Sequence, residues 1–246
     1  MLITEIIDTK FKTSGPEKWT DGNEVPDARN RVGAGVTSFA VDGGDEQSQG
    51  EVKVKRILSP LTKKQLERDA KYTWFKAIQP LLKDGNPYVP RVYDVDITAY
   101  EKPGSKQEYF SPTYKVERLV NSMDIFSISA GSGGRRSLDY DSILSMAKII
   151  SPSLEKKMLQ YDKVNIRDTG YRATKIQNWN MLVYMIRDYM IIENMFNDVD
   201  PQFMKVIDLI KSLTNTRQWN LDFHPGNCLI RLGVGGPRLV VYDPIV

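Results

Sequence analysis

Leu221-Asp222-Phe223-His224-Pro225-Gly226-Asn227 opens the closing stretch of this 246-residue chain. A strand-like run from Cys228 to Leu232 follows, then the turn Gly233-Val234-Gly235-Gly236, a second run from Arg238 to Tyr242, and Asp243. Two short aliphatic runs separated by glycines read as a hairpin. Asp222 and Asn227 stand five apart ahead of it, and Asp243 leaves it on the far side. Phosphoryl transfer needs one carboxylate beside the attacking hydroxyl and hard oxygen ligands for a magnesium ion. A carboxylate, a carboxamide five residues later and a second carboxylate after a hairpin supply those groups in the order such enzymes use. On this reading Asp222 accepts or orients the substrate hydroxyl. Asn227 offers its amide oxygen to Mg2+, and Asp243 bridges Mg2+ to the β- and γ-phosphates of ATP. His224 is read as a hydrogen bonder that shapes the loop, and Pro225-Gly226 as a tight turn that lets Asn227 face the metal.

Upstream of this stretch the helical period dominates. Asp139 to Ile150, Ser153 to Tyr161, Gln177 to Phe196 and Pro201 to Leu213 read as helices, the last with Asp200 as cap and proline in its first turn. Trp179, Leu182, Ile186 and Met190 form a stripe at helical spacing and read as core. Ala130-Gly131-Ser132-Gly133-Gly134 reads as a flexible linker.

The texture before the linker is different. Val32 to Val41 and Glu51 to Leu58 are β-type runs joined by a polar turn, and Val89 to Tyr100 and Thr113 to Leu119 read as a later strand pair. Between them, Thr62-Lys63-Lys64-Gln65 has the capping-box pattern, and Leu66, Ala70, Trp74 and Ile78 recur every fourth residue. One helix is expected there, ended or kinked by Pro80 near Gln79. The first thirty residues, rich in Pro, Gly, Asp and Lys, read as a loose lead-in with at most a short strand at Leu2 to Ile7. Gly33 and Gly35 lie in a hairpin ahead of Lys53 and Lys55; without a Cβ, the backbone there can approach phosphate oxygens. The two lysines alternate with valines and so occupy one face of their strand.

Bulk properties remove several function classes. The net charge is +3 with 26% charged residues, a mixed surface without the basic stripe that nucleic-acid binding needs; Arg135-Arg136 is a weak local candidate. No stretch approaches the roughly 20 apolar residues of a membrane span, and Met1-Leu2-Ile3-Thr4-Glu5 does not begin a secretion signal. The expectation is a soluble, intracellular protein with no membrane partner. One cysteine, Cys228, and one histidine exclude an internal disulfide and a structural zinc site. Cys228 reads as an inert packed thiol.

At these residues the chain resembles the early-gene serine/threonine protein kinases of tailed bacteriophages. The matching pieces are Val32-Gly33-Ala34-Gly35 with Ser38-Phe39-Ala40, Val52-Lys53-Val54, Tyr72-Thr73-Trp74-Phe75, and Val89-Pro90-Arg91-Val92-Tyr93-Asp94-Val95. Leu221 to Asn227 and Val241-Tyr242-Asp243-Pro244 complete the set. The likeness covers residues 30 to 119 and 205 to 246. It implies an α+β, two-lobed protein-kinase-like fold. Residues 1–119 would form a nucleotide-binding N-lobe of antiparallel strands and one helix, and residues 120–246 a mainly helical C-lobe ending after the metal-binding Asp243.

The resemblance also implies roles. Gly33, Gly35 and Ser38, which replaces the usual third glycine, would cover the ATP phosphates. Lys53, or Lys55 on the same face, would contact the α- and β-phosphates, with Lys53 closer to the family setting. Glu67 would orient that lysine from the helix flank, or else join a surface ion-pair group with Lys63, Lys64 and Lys71. The Glu117 carbonyl and the Leu119 N–H would meet the adenine edge. The implied substrates are serines and threonines of host proteins, transcription and translation machinery among them, and the protein itself, in the cytoplasm of the infected cell.

Two departures qualify the likeness. Pro244-Ile245 follows Asp243 where Phe-Gly is usual, so no flipping activation switch is expected. Three residues follow Asp243, with no activation segment. Protein substrates would then dock on helices ahead of the catalytic loop, or the sequence is part of something longer. Two alternatives stay open: a small-molecule or antibiotic phosphotransferase, and a kinase-fold protein that binds a host factor without transfer.

Overall fold

The computed structural model describes residues 11–18, 31–34, 38–42, 51–56, 61–101, 104, 106–120, 140–169, 175–192, 198–216, 218–233 and 235–246. The fold is mixed α+β. The chain divides into two compact units, one from Met1–Gly85 and Pro90–Arg118, the other from Asn86–Val89 and Leu119–Val246. The split after Arg118 falls inside the expected N-lobe end, and Asn86–Val89 sorts with the second unit rather than the first.

In the first unit, β1 (Phe11–Lys18), β2 (Arg31–Ala34), β3 (Ser38–Asp42), β4 (Glu51–Arg56), β6 (Val92–Glu101) and β7 (Glu108–Glu117) line up as β1-β6-β7-β4-β3-β2. A two-residue β5 (Leu61–Thr62) pairs with β7 off this path. Every pairing is antiparallel except β1 with β6. The expected small antiparallel sheet thus gains a parallel edge strand from a stretch read as loose lead-in; Leu2 to Ile7 lies outside the described residues. Gly15 and Pro16 fall where the β1 register shifts, between Ser14 and Glu17. A proline costs an edge strand little at such an irregularity.

The sheet has two unlike faces. Val92, Val95 and Ile97 of β6 are buried with Pro112, Tyr114 and Val116 of β7. Phe75 packs on Tyr114 with ring centroids 4.7 Å apart. Full burial of a phenylalanine contributes about 1.5–3 kcal/mol. Asp94, Asp96, Thr113 and Lys115, at the alternate positions, are only half-buried.

The single expected helix is broken into α1 (Lys63–Leu66), α2 (Ala70–Ala77) and α3 (Gln79–Lys83). The capping box is real: Thr62 Oγ1 accepts from Gln65 N–H, and the Gln65 side chain accepts from Thr62 N–H. It caps only one turn. Asp69 takes Tyr72 N–H at 2.9 Å and starts a second helix, since aspartate at a cap competes well with continuing the first. Pro80 sits in the first turn of α3, after the break at Ile78.

The second unit holds α4 (Tyr140–Ile150), α5 (Pro152–Thr169), α6 (Lys175–Ile191), α7 (Pro201–Asn215), β8 (Cys228–Arg231) and β9 (Arg238–Val241). Trp179, Leu182, Ile186 and Met190 are buried, as a core stripe should be. Asp200 caps α7, accepting from Gln202 and Phe203 N–H at 2.7 and 3.2 Å. The α5 helix runs well beyond Tyr161. Its start is held by Ser151, whose Oγ accepts from Leu154 N–H, and by Asp198, which accepts from Ser151 Oγ at 2.5 Å and Ser153 Oγ at 2.9 Å. The glycine linker at 130–134 lies outside the described residues. Among the described residues no helix is long and apolar enough to cross a membrane.

Candidate functional site

The site is built on the β8–β9 hairpin. Cys228 pairs with Val241, Leu229 with Val240, Ile230 with Leu239 and Arg231 with Arg238. Flanking segments extend this small sheet on both sides. Val120 bridges Ile230 at one edge, and Val241 N–H donates to Tyr88 O at 2.8 Å at the other. Arg231 secures the same Asn86–Val89 segment, its guanidinium donating to Pro87 O and, at 2.8 Å, to Val89 O. Asn86 Nδ2 in turn donates to Gln202 O at 2.7 Å on α7.

Past the hairpin, residues 244–246 run back along residues 220–222. Asn220 and Val246 exchange two backbone bonds, Leu221 bridges Ile245, and Asp222 N–H donates to Pro244 O at 2.8 Å. Phe223, Pro244 and Ile245 are buried beneath this ladder, which anchors the flanks of both aspartates.

Between the flanks lies the loop. Asn227 N–H donates to His224 O at 2.9 Å and closes the turn expected at Pro225-Gly226. Asn227 Nδ2 donates to Asp222 Oδ2 and to Asp222 O, both at 2.8 Å. Asn227 O accepts from Tyr242 N–H at 2.9 Å and from Asp243 N–H at 3.4 Å. Asp222, Asn227 and Asp243 are therefore drawn together through one asparagine. His224 Nδ1 accepts from Gly226 N–H at 3.1 Å, the loop-shaping role read from sequence. Trp179, fully buried on α6, donates from Nε1 to Pro225 O at 3.4 Å. That support was not legible in the sequence, where Trp179 showed only as core.

Among the described residues no group of three or more histidine, cysteine, aspartate and glutamate side chains could hold a metal ion. The groups that could hold a cation are instead the Asn227 carboxamide and the Asp243 carboxylate, with Asp222 beside them. Because Nδ2 of Asn227 is committed to Asp222, its Oδ1 is the atom turned to other use; no hydrogen bond engages it among the described residues. Hard oxygens of this kind, with the rest of the shell left to water and phosphate, could take magnesium, calcium or manganese. Burial, and then the neighbouring Asp243 charge, push the Tyr242 hydroxyl far up. Burial alone pushes the Cys228 thiol up, in keeping with an inert packed side chain.

The other candidates sit in the first unit. Gly33 of β2 faces Ala40 of β3 across the ladder, and Ser38 faces Arg56. Gly35 lies outside the described residues. Lys53 stands opposite Val41 and Lys115, and Lys55 opposite Phe39 and Thr113, at positions alternating with those opposite buried Tyr114 and Val116. Glu67 is exposed at the C-terminal cap of α1, not within a continuous helix. Glu117 is buried, its carboxylate accepting from Arg91 N–H at 2.8 Å and its own N–H donating to Arg91 O. Leu119 belongs to the second unit.

No family model, no curated protein and no solved structure matches the chain.

Proposed function

We propose that this chain is an ATP-dependent serine/threonine protein kinase that modifies host proteins during phage infection. The reading is carried by the 2.8 Å bond from Asn227 Nδ2 to Asp222 Oδ2, in a loop where Asn227 O also accepts from Asp243 N–H. An asparagine that clamps one aspartate and abuts another has both ends of its amide assigned: the nitrogen orients the base, and the oxygen is left for a cation.

In this reading Asp222 orients a serine or threonine hydroxyl and accepts its proton as the oxygen attacks the γ-phosphorus. The new O–P bond forms as the bond to the β–γ bridging oxygen breaks, and ADP leaves. Asn227 Oδ1 and Asp243 would hold magnesium, which when bound neutralises charge on the β- and γ-phosphates. Lys53 or Lys55 would contact the α- and β-phosphates, Gly33, Gly35 and Ser38 would cover them, and the Glu117 carbonyl and Leu119 N–H would take the adenine edge. Asp222 sits in a turn held at both flanks by backbone bonds, so little reorganisation is needed when the hydroxyl arrives.

The competing readings are binding without transfer and transfer to a small molecule. Radiolabelled ATP incubated with the full chain and a bacterial extract decides between the readings. Labelled protein bands that vanish in Asp222→Ala support the kinase. Label confined to small molecules marks a small-molecule phosphotransferase, and no transfer despite ATP binding marks the non-catalytic reading.

A further inference from the structure

We infer that His224 is a positioning residue for Asp222, acting through the Nε2–H tautomer that the Gly226 amide selects. The inference rests on the phosphotransferase reading above. A ring nitrogen that accepts a hydrogen bond carries no proton, so the 3.1 Å bond from Gly226 N–H to Nδ1 places the proton of the neutral imidazole on Nε2. Nε2 lies 3.6 Å from Asp222 Oδ1, while Asp222 Oδ2 already accepts from Asn227 Nδ2 at 2.8 Å. Oδ2 is thus hydrogen-bonded, while Nε2 stands opposite Oδ1 just beyond hydrogen-bond length.

That arrangement answers a physical need. The terminal torsion of an aspartate is broad and two-fold, so a single donor leaves the plane of the carboxylate free to swing. The Asp222 side chain is 39% exposed, and water competes for whatever the loop does not hold. Closure of Nε2–H onto Oδ1, beside the bond already on Oδ2, would fix the plane and leave a lone pair of Oδ1 for a substrate hydroxyl. Catalytic contacts of this length in free enzymes commonly tighten once substrate arrives.

Gly226 belongs to the same device. A Cβ there would lie 2.9 Å from His224 Cε1 and 3.2 Å from Nδ1, so any other residue pushes the ring off its amide. Two residues after Asp222, a side chain with an acceptor at one position and a donor two atoms further round the ring does what a lysine, with donors only, could not.

The chain has one histidine, so 15N-histidine labelling of the full chain gives a single ring to read. With the imidazole neutral, the expected spectrum shows Nε2 protonated and Nδ1 bare. Asp222→Asn should shift Nε2 more than Nδ1, and Gly226→Ala should average the two tautomers. A wild-type ring protonated on Nδ1, already averaged, or indifferent to Asp222→Asn overturns the inference.

The kinetic arm uses His224→Asn, whose amide oxygen can still accept from Gly226 N–H but whose shorter side chain places no donor at the Nε2 position. A fall in kcat of about 10–100-fold with an unchanged KM for ATP is expected, partly restored in His224→Gln. An unchanged kcat overturns the positioning role. If the wild type transfers no phosphate, the nitrogen spectra still decide whether the ring holds Asp222, which separates failure here from failure of the kinase reading.

Discussion

Asn227 Nδ2 donates at 2.8 Å to both the side chain and the main-chain carbonyl of Asp222, so the two residues move as one unit. A bidentate amide of this kind fixes the rotation of the aspartate as well as its place. Asn227→Asp replaces the donor with a like charge and should abolish phosphate transfer, whereas Asn227→Ala should lower it by about 100-fold or more. Transfer to protein from radiolabelled ATP measures both, and a rate within a few-fold of wild type in Asn227→Asp refutes the clamp.

The proposed division of labour makes a second prediction. Asp243→Ala should weaken Mg·ATP binding far more than Asp222→Ala, because only Asp243 is assigned to the metal. Titration calorimetry with and without magnesium reads the difference. Equal losses contradict the metal assignment.

Exposure at Glu67 gives a third. Glu67→Gln should change stability by less than about 0.5 kcal/mol, since the side chain is exposed. Lys53→Met and Lys55→Met, compared side by side, identify the phosphate lysine. A collapse of transfer in Glu67→Gln would support the lysine-orienting role implied by the resemblance, and unchanged transfer would rule it out.

Trp179→Phe tests the support under the loop. It removes the bond to Pro225 O and part of a fully buried ring, at a cost of about 1–3 kcal/mol in denaturant unfolding. A neutral effect would mean that Pro225 is held by the hairpin alone.

Acid should weaken the α4–α5 junction. Hydrogen bonds, the one from Ser151 foremost, hold the Asp198 carboxyl below its ordinary value of 3.8. A depressed folded-state pKa gives stability that is present above the unfolded value and lost as pH falls through the folded one. Thermal midpoints followed downward from about pH 5 should therefore fall more steeply in wild type than in Asp198→Asn. Parallel curves would show that the carboxylate contributes nothing there.

Local chemistry was readable where a side chain acts on its own neighbourhood. The Thr62 capping box, the Asp200-Pro201 helix start, the Trp179 to Met190 stripe and the hairpin around Gly233 to Gly236 all declare themselves within a few residues. The gathering of Asp222, Asn227 and Asp243 follows from the hairpin that separates the last two. What escaped depends on distant partners or on competition between neighbours. A parallel edge strand at Phe11 to Lys18 is specified by β6, far along the chain, and leaves no alternation to detect. The capping box at Thr62 was visible, but its loss to Asp69 after a single turn was not, because two good caps in sequence give no sign of which one ends the other's helix. Assignment of Asn86–Val89 to the second unit rests on Arg231 and Val241, whose hydrogen bonding no local pattern announces.

That last segment has a practical consequence for anyone dissecting the molecule. A fragment cut at Leu119 would lack the carbonyls of Pro87, Tyr88 and Val89, stranding a guanidinium and an amide on the hairpin that presents Asp243. Expression of the second unit alone therefore calls for grafting a short peptide back in, or for a permuted chain that keeps Asn86–Val89 attached.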